Sequence, residues 1–302
     1  MKIDSIIVLP EQINPNQAKV LFDEFKYAWD KTSNDDKKKW ANDSVKSFGK
    51  VTYRRGKGLV KALLSLTKHI FSETSNLGVA IYNRETKSYF IDRKNKTVQF
   101  VSNGAKSSMK FATNLYKLLK TNPKDIGPLI FFGVLGFFMG AGMQVGEKTL
   151  YDIDGGIPDL DWKVGQFTDI DLLKHRSPFF HSIISAAVLE TMVFSSVNAI
   201  HIIHSKLPEK HDVFWDRVVS KTNWAEAFVT GACAGIAYHL LLDGTLDGGG
   251  HLSGVSSTLD ISMPQEAHQL FFVTNAATET LDLDKKKTEV LYTRPSSSFS
   301  FN

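Results

Sequence analysis

Gly235-Ile236-Ala237-Tyr238-His239-Leu240-Leu241-Leu242-Asp243 closes an apolar run that begins near Trp224. The length and composition of the run predict a helix. On that helix His239 and Asp243 are four residues apart, so they stack on one face, one turn from each other. Two metal ligands at i and i+4 use the same device. An imidazole and a carboxylate are costly to bury in such surroundings unless they are paired or bind a cation. Asn223, with Glu226 three residues on, predicts a capping box at the start of the helix, and Gly244 predicts its end.

Two other apolar segments precede this one. Residues 129–146 carry no charge and include Gly133, Gly136, Gly140 and Gly142, which suit close helix packing. At 18 residues the segment sits at the lower limit for a membrane-spanning helix and also reads as a buried helix. The next runs from Pro178 to about Ile203, and Ser177-Pro178 reads as N-cap and first helical residue. A further helix is predicted over about 264–280, after a Gly- and Ser-rich loop at 244–262. The expected fold is therefore mainly α, a helical bundle over 126–285 with a metal site between helices and a flexible tail at 286–302.

Residues 1–125 differ in character, being polar and lysine-rich. Helical stripes recur at 16–31, 58–71 and 105–120. Gly78–Tyr82 and Ser88–Asp92, separated by Asn83-Arg84-Glu85-Thr86-Lys87, read as a β-hairpin, with Val98–Val101 as a third strand. Residues 1–10 read as a short strand rather than a signal peptide. This part is expected to be a small basic α+β domain. The formal charge of the 302-residue chain is +4, which permits contact with anionic lipid or nucleic acid but argues for neither, and no specific nucleic acid is expected. Cys233 is the single cysteine, so an intrachain disulfide and a thiolate zinc cluster are excluded.

Carboxylates and imidazoles cluster around the apolar segments. Asp159 and Asp161 flank Leu160 just after Gly155-Gly156-Ile157-Pro158, and in an extended segment they would point the same way. His175 precedes the Ser177-Pro178 break and His181 follows it, so both could converge on one ion. Arg176, between them, has the planar fork that suits a phosphate or carboxylate. On an unbroken helix Glu190, His201 and His204 face away from His181. His251 is a late candidate ligand, and His268 a weaker one. Oxygen and imidazole donors without thiolate suit zinc, manganese or iron, as one ion or two.

Pro158-Asp159-Leu160-Asp161, His175-Arg176…His181-Ser182 and His239-Leu240-Leu241-Leu242-Asp243, in this order, resemble the bacterial membrane-bound metal-dependent hydrolase family. They are similar in style to the helical metal sites of zinc-dependent phospholipases C. The resemblance covers about 128–265. It implies a helical hydrolase embedded in or apposed to the inner membrane, with Asp159, Asp161, His175, His181, His239 and Asp243 as metal residues. The family's commoner His-Arg-Gly-x-Thr-His run has one residue fewer between the histidines than this chain has. Its early helix often bears a histidine, whereas 129–146 has none.

The leading functional expectation is a divalent-metal hydrolase acting on a phosphoester or lipid-like substrate at a membrane. Asp161 and Arg176 are its expected catalytic residues and membrane lipid its expected partner. Two other classes fit the same residues. One is a non-enzymatic membrane or assembly protein, able to oligomerise, whose His and Asp residues form buried hydrogen bonds. The other is a two-part effector whose N-terminal domain docks. A soluble cytoplasmic protein is the alternative to a membrane location.

Overall fold

The computed structural model describes residues 15–142, 156–167, 177, 179–245 and 265–292. Nine helices are seen among them. They are α1 (Pro15–Lys31), α2 (Asn34–Tyr82), α3 (Thr86–Thr121), α4 (Pro123–Ala141) and α5 (Leu160–Gly165). They continue with α6 (Ile183–His204), α7 (Val213–Ser220), α8 (Thr222–Thr245) and α9 (Gln265–Tyr292). The chain forms two compact units, one of residues 1–59 and 129–302, the other of residues 60–128.

The mainly α expectation holds, and the N-terminal α+β expectation does not. Among the described residues no strand occurs, and the segments read as a β-hairpin are the end of α2 and the start of α3. The reversal at Asn83–Glu85 is real, but it joins helices. Asn83 N–H donates to Val79 O and Glu85 N–H to Ala80 O, while Arg84 takes the left-handed conformation, φ 58°. Those bonds satisfy the carbonyls a helix leaves open at its C-terminus. Glu73 then holds the two helices together, accepting from Tyr89 Oη at 2.8 Å and pairing with Arg93 Nε at 2.8 Å. The helical period of α2 and α3 runs through these short β-type segments and decides their structure, and Val98–Val101, expected as a third strand, is likewise part of α3. The predicted strand at 1–10 lies outside the described residues.

The core of the larger unit is built on α8, which packs against α6 and α9. Val229, Cys233, Ile236 and Leu240 of α8 meet Ala186 of α6 and Phe272 and Ala276 of α9, all nearly or fully buried. A smaller cluster joins Ala28 of α1, Ile203 of α6 and Trp215 of α7.

A different face of α8 meets α4. Gly231 and Gly235 approach Gly133 and Phe137, and Gly136 and Gly140 of α4 approach Phe228 and Ala232. The pairs advance together along both chains, so the helices run parallel. Both carry a glycine at i and i+4 (Gly136 and Gly140; Gly231 and Gly235), the small-residue pattern that lets backbones touch. A Cβ on Gly235 would collide with Phe137 O and lie 2.5 Å from Ala141 N. Gly235→Ala should therefore destabilise by about 1–3 kcal/mol through overpacking, although alanine is the better helix former. Thermal denaturation checks this, and a gain in stability would contradict the close crossing.

Two helix starts differ from expectation. α6 begins at Ile183, with Ser182 as N-cap, its Oγ accepting from Ile184 N–H, so Ser177 is not the cap. Asn223 lies inside α8, and its Oδ1 has no hydrogen-bond partner among the described residues, so the Asn223–Glu226 capping box is not formed. Gly244 does not end α8; it lies where α9 passes, and a Cβ there would come 2.8 Å from Val273.

Three helices, α4, α6 and α8, are long and apolar enough to cross a membrane. They differ in how the protein covers them. Half of the most apolar stretch of α8 is buried in the structure, against 17% for α4. Phe131, Val134, Leu135 and Met139 form an exposed apolar stripe on α4, on the side away from its glycines.

Candidate metal centre

The ridge Gly231-Gly235-His239-Asp243 follows the i, i+4 row of α8. Its glycine half packs against α4, and its polar half emerges where α4 ends. There His239 Nδ1 lies 3.2 Å from Ala141 O, one of the carbonyls left open by the helix terminus. Gly142, at φ 76°, turns the chain out of α4. Ile157 N–H donates to Met139 O at 2.9 Å, fastening the acidic segment to the same helix end. Gly156, at φ 82°, sits against Gly142, where a Cβ would lie 2.6 Å from its nitrogen. Pro158 is buried, Asp159 follows in the turn, and Asp161 stands in the first turn of α5.

His181 enters from the turn before α6. Its backbone N–H donates to Ser177 O at 2.9 Å, and Ile183 N–H donates to Asn275 Oδ1 of α9 at 3.0 Å, which fixes the start of the helix. The ring of His181 is fully buried, with its centroid 5.3 Å from that of His239 and 6.3 Å from that of Phe272.

The two imidazoles share two carboxylates. His181 Nε2 is 3.4 Å from Asp159 Oδ1 and 3.8 Å from Asp243 Oδ2. His239 Nε2 is 3.9 Å from Asp159 Oδ2 and 3.4 Å from Asp243 Oδ2. Donor atoms of Asp159, His181 and His239 lie within 4.8 Å of one another, so this group could hold a metal ion.

Asp161 stands elsewhere. Its Oδ2 is 3.1 Å from His181 Nδ1, on the opposite edge of the ring, and accepts from Ser177 N–H at 2.8 Å. Asp161 therefore has the position of an outer carboxylate that orients a ligating histidine. Ala141 O has the corresponding position behind His239. A carbonyl only accepts, so His239 Nδ1 carries the hydrogen, and Nε2 is the ring nitrogen that faces Asp159 and Asp243. Burial opposes charge on His181, but hydrogen bonding to Asp159 and Asp161 prevails, and its pKa is pushed up to about 9.

The donor set fits a divalent cation. Two imidazoles and three carboxylates carry three negative charges when the rings are neutral, in a nearly buried place. A cation would offset that charge, and the donors available to it are nitrogen and oxygen without sulfur.

Of the residues singled out in the sequence, Asp159, Asp161, His181, His239 and Asp243 come together. His175, Arg176 and His251 lie outside the described residues. His268 is buried on α9, one turn before Phe272. Glu190 stands apart from the centre and serves a buried ion-pair network that sequence reasoning missed. Its Oε2 lies 2.7 Å from Arg55 of α2, and the same guanidinium lies 2.7 Å from Glu279 and 3.7 Å from Asp282 of α9. Arg54 grips Asp282 with a two-pronged contact of 2.7 and 2.9 Å. The signal lay in a consecutive Arg pair and in Glu190, a carboxylate set in the apolar α6, but the partners are more than a hundred residues apart.

No family model, curated protein or solved structure matches the chain.

Proposed function

We propose that the chain is a metal-dependent hydrolase acting on a phosphoester or lipid-like substrate at a membrane. The observation that carries this reading is the convergence of both Nε2 atoms on Asp159 and Asp243, with an outer partner behind each ring. Asp159, His181, His239 and Asp243 would hold the ion. A bound divalent ion lowers the pKa of its water toward about 7 and polarises the bond under attack.

The chain's own residues do the rest. Asp161 orients His181 and holds a proton at its Nδ1, leaving Nε2 for the ion. Ala141 O does the same for His239. Asp161 thus acts as a positioning residue in this reading, in place of the ligand and catalytic roles expected from sequence. The exposed apolar stripe of α4 supports a lipid surface as the place of action.

Detergent-solubilised protein stripped of metal and resupplied with zinc or manganese, given phospholipid vesicles and a soluble phosphodiester, tests the activity. Turnover is expected only with metal and should fall at least about a hundredfold in Asp159→Asn. Turnover that survives both metal removal and Asp159→Asn would refute it.

A further inference from the structure

The end of α6, the loop after it and the start of α7 bring together a second set of imidazole and carboxylate donors. His204 is the last residue of α6, His211 lies on the loop, and Asp216 is in the first turn of α7. His204 Nε2 is 2.8 Å from Asp216 Oδ1, and His211 Nε2 is 3.2 Å from the same oxygen. One donor atom from each residue lies within 4.8 Å of the other two.

The hydrogen bonding of His211 fixes what its ring offers. Nδ1 lies 2.8 Å from Pro208 O. The carbonyl only accepts, so Nδ1 carries the hydrogen. A neutral His211 then turns the lone pair of Nε2 toward a carboxylate oxygen. Two acceptors facing each other require a cation between them, either a second proton or a metal ion. A carbonyl behind Nδ1 is the outer contact that metal-bound histidines use to fix their tautomer.

The frame around these donors is well held. Asp212 caps α7, accepting from Phe214 N–H at 2.8 Å. Glu24 of α1 accepts from Asp212 N–H at 2.8 Å and from Trp215 Nε1 at 3.0 Å. Trp215, next to Asp216, packs with Ala28 and Ile203. The three donors themselves keep access to solvent, with side-chain exposures of 30% for His204, 17% for His211 and 57% for Asp216.

We propose that His204, His211 and Asp216 form a second, solvent-accessible zinc site that clips the end of α6 to α7. Two imidazoles and one carboxylate supply three protein ligands, and solvent supplies the fourth. The site is independent of the hydrolase reading, since it shares no residue with the first centre.

Zinc titration of the full chain against a chromophoric chelator tests it. The background carries Asp159→Asn and His239→Ala, which disable the first centre. This background is expected to bind one equivalent of zinc. Adding His211→Ala or Asp216→Asn should weaken that binding more than about tenfold, with unchanged helical circular dichroism. If the background fails to fold, wild type is compared with His211→Ala, whose zinc content should fall by one equivalent. A folded background that takes up no zinc, or zinc content and affinity unaffected by His211→Ala and Asp216→Asn, overturns the proposal.

Discussion

Arg55→Ala should destabilise the protein by about 3–5 kcal/mol, the cost of breaking a buried ion pair from one side. Arg55 is nearly fully buried, and its guanidinium contacts Glu190, Glu279 and, more distantly, Asp282. Its removal strands carboxylates of α6 and α9 in the interior. Since domains are stable by only about 5–15 kcal/mol, much of the margin goes. Arg55→Lys should not restore it, because an ammonium cannot reproduce the planar fork that meets several carboxylates at once. Arg54→Ala should cost less, since Arg54 is 37% exposed and Arg55 still faces the same carboxylates. Chemical denaturation of the three variants checks the order. A loss in Arg55→Ala no greater than that in Arg54→Ala would contradict the network as described.

His239→Ala combined with Asp243→Ala should abolish metal binding at the first centre, while the helix itself persists. Both residues come from one ridge of α8, so the pair deletes one side of the donor set without touching the glycines that pack α4. Asp161→Asn should act more mildly. It leaves the Nε2 donors in place and weakens only the partner behind His181, for a loss in affinity of about 10–100-fold. The pH dependence has a fixed sign. Without metal, His181 holds a proton up to about pH 9, and that proton must leave before Nε2 can bind an ion. Affinity should therefore rise with pH, about tenfold per unit while one proton is released. Equilibrium dialysis between pH 6 and 8 measures this, and a flat profile would count against His181 as a ligand.

Much of the centre was legible because it rests on local rules. The i, i+4 spacing of His239 and Asp243 needs only the helical period. Placement of Asp159 and His181 beside them also needs the fold, which the Ser177-Pro178 break suggested for His181 and the resemblance mainly suggested for Asp159. The roles within the cluster were not legible, since Asp161 and Asp159 differ by two residues yet face opposite edges of His181. That distinction arises because Asp161 falls in the first turn of α5 and is held by Ser177 N–H. The glycines of 129–146 announced close packing correctly, but not that their partner would be the glycines of α8. The β-hairpin reading failed where Gly78–Tyr82 and Ser88–Asp92 offered β-type residues around a turn. Short apolar runs do not distinguish strand from helix, and the longer periodicity on both sides decided the outcome.

X-ray absorption at the metal edge of the purified 302-residue chain, set against the His239→Ala, Asp243→Ala variant, shows whether these donors hold an ion. The expected result is a bound transition metal in a shell of nitrogen and oxygen, with imidazole scattering from two histidines and no sulfur. The double substitution should abolish the signal of the first centre, leaving at most that of zinc at His204, His211 and Asp216. A wild-type protein that binds no transition metal, or one whose metal content and spectrum are unchanged in the variant, would contradict it.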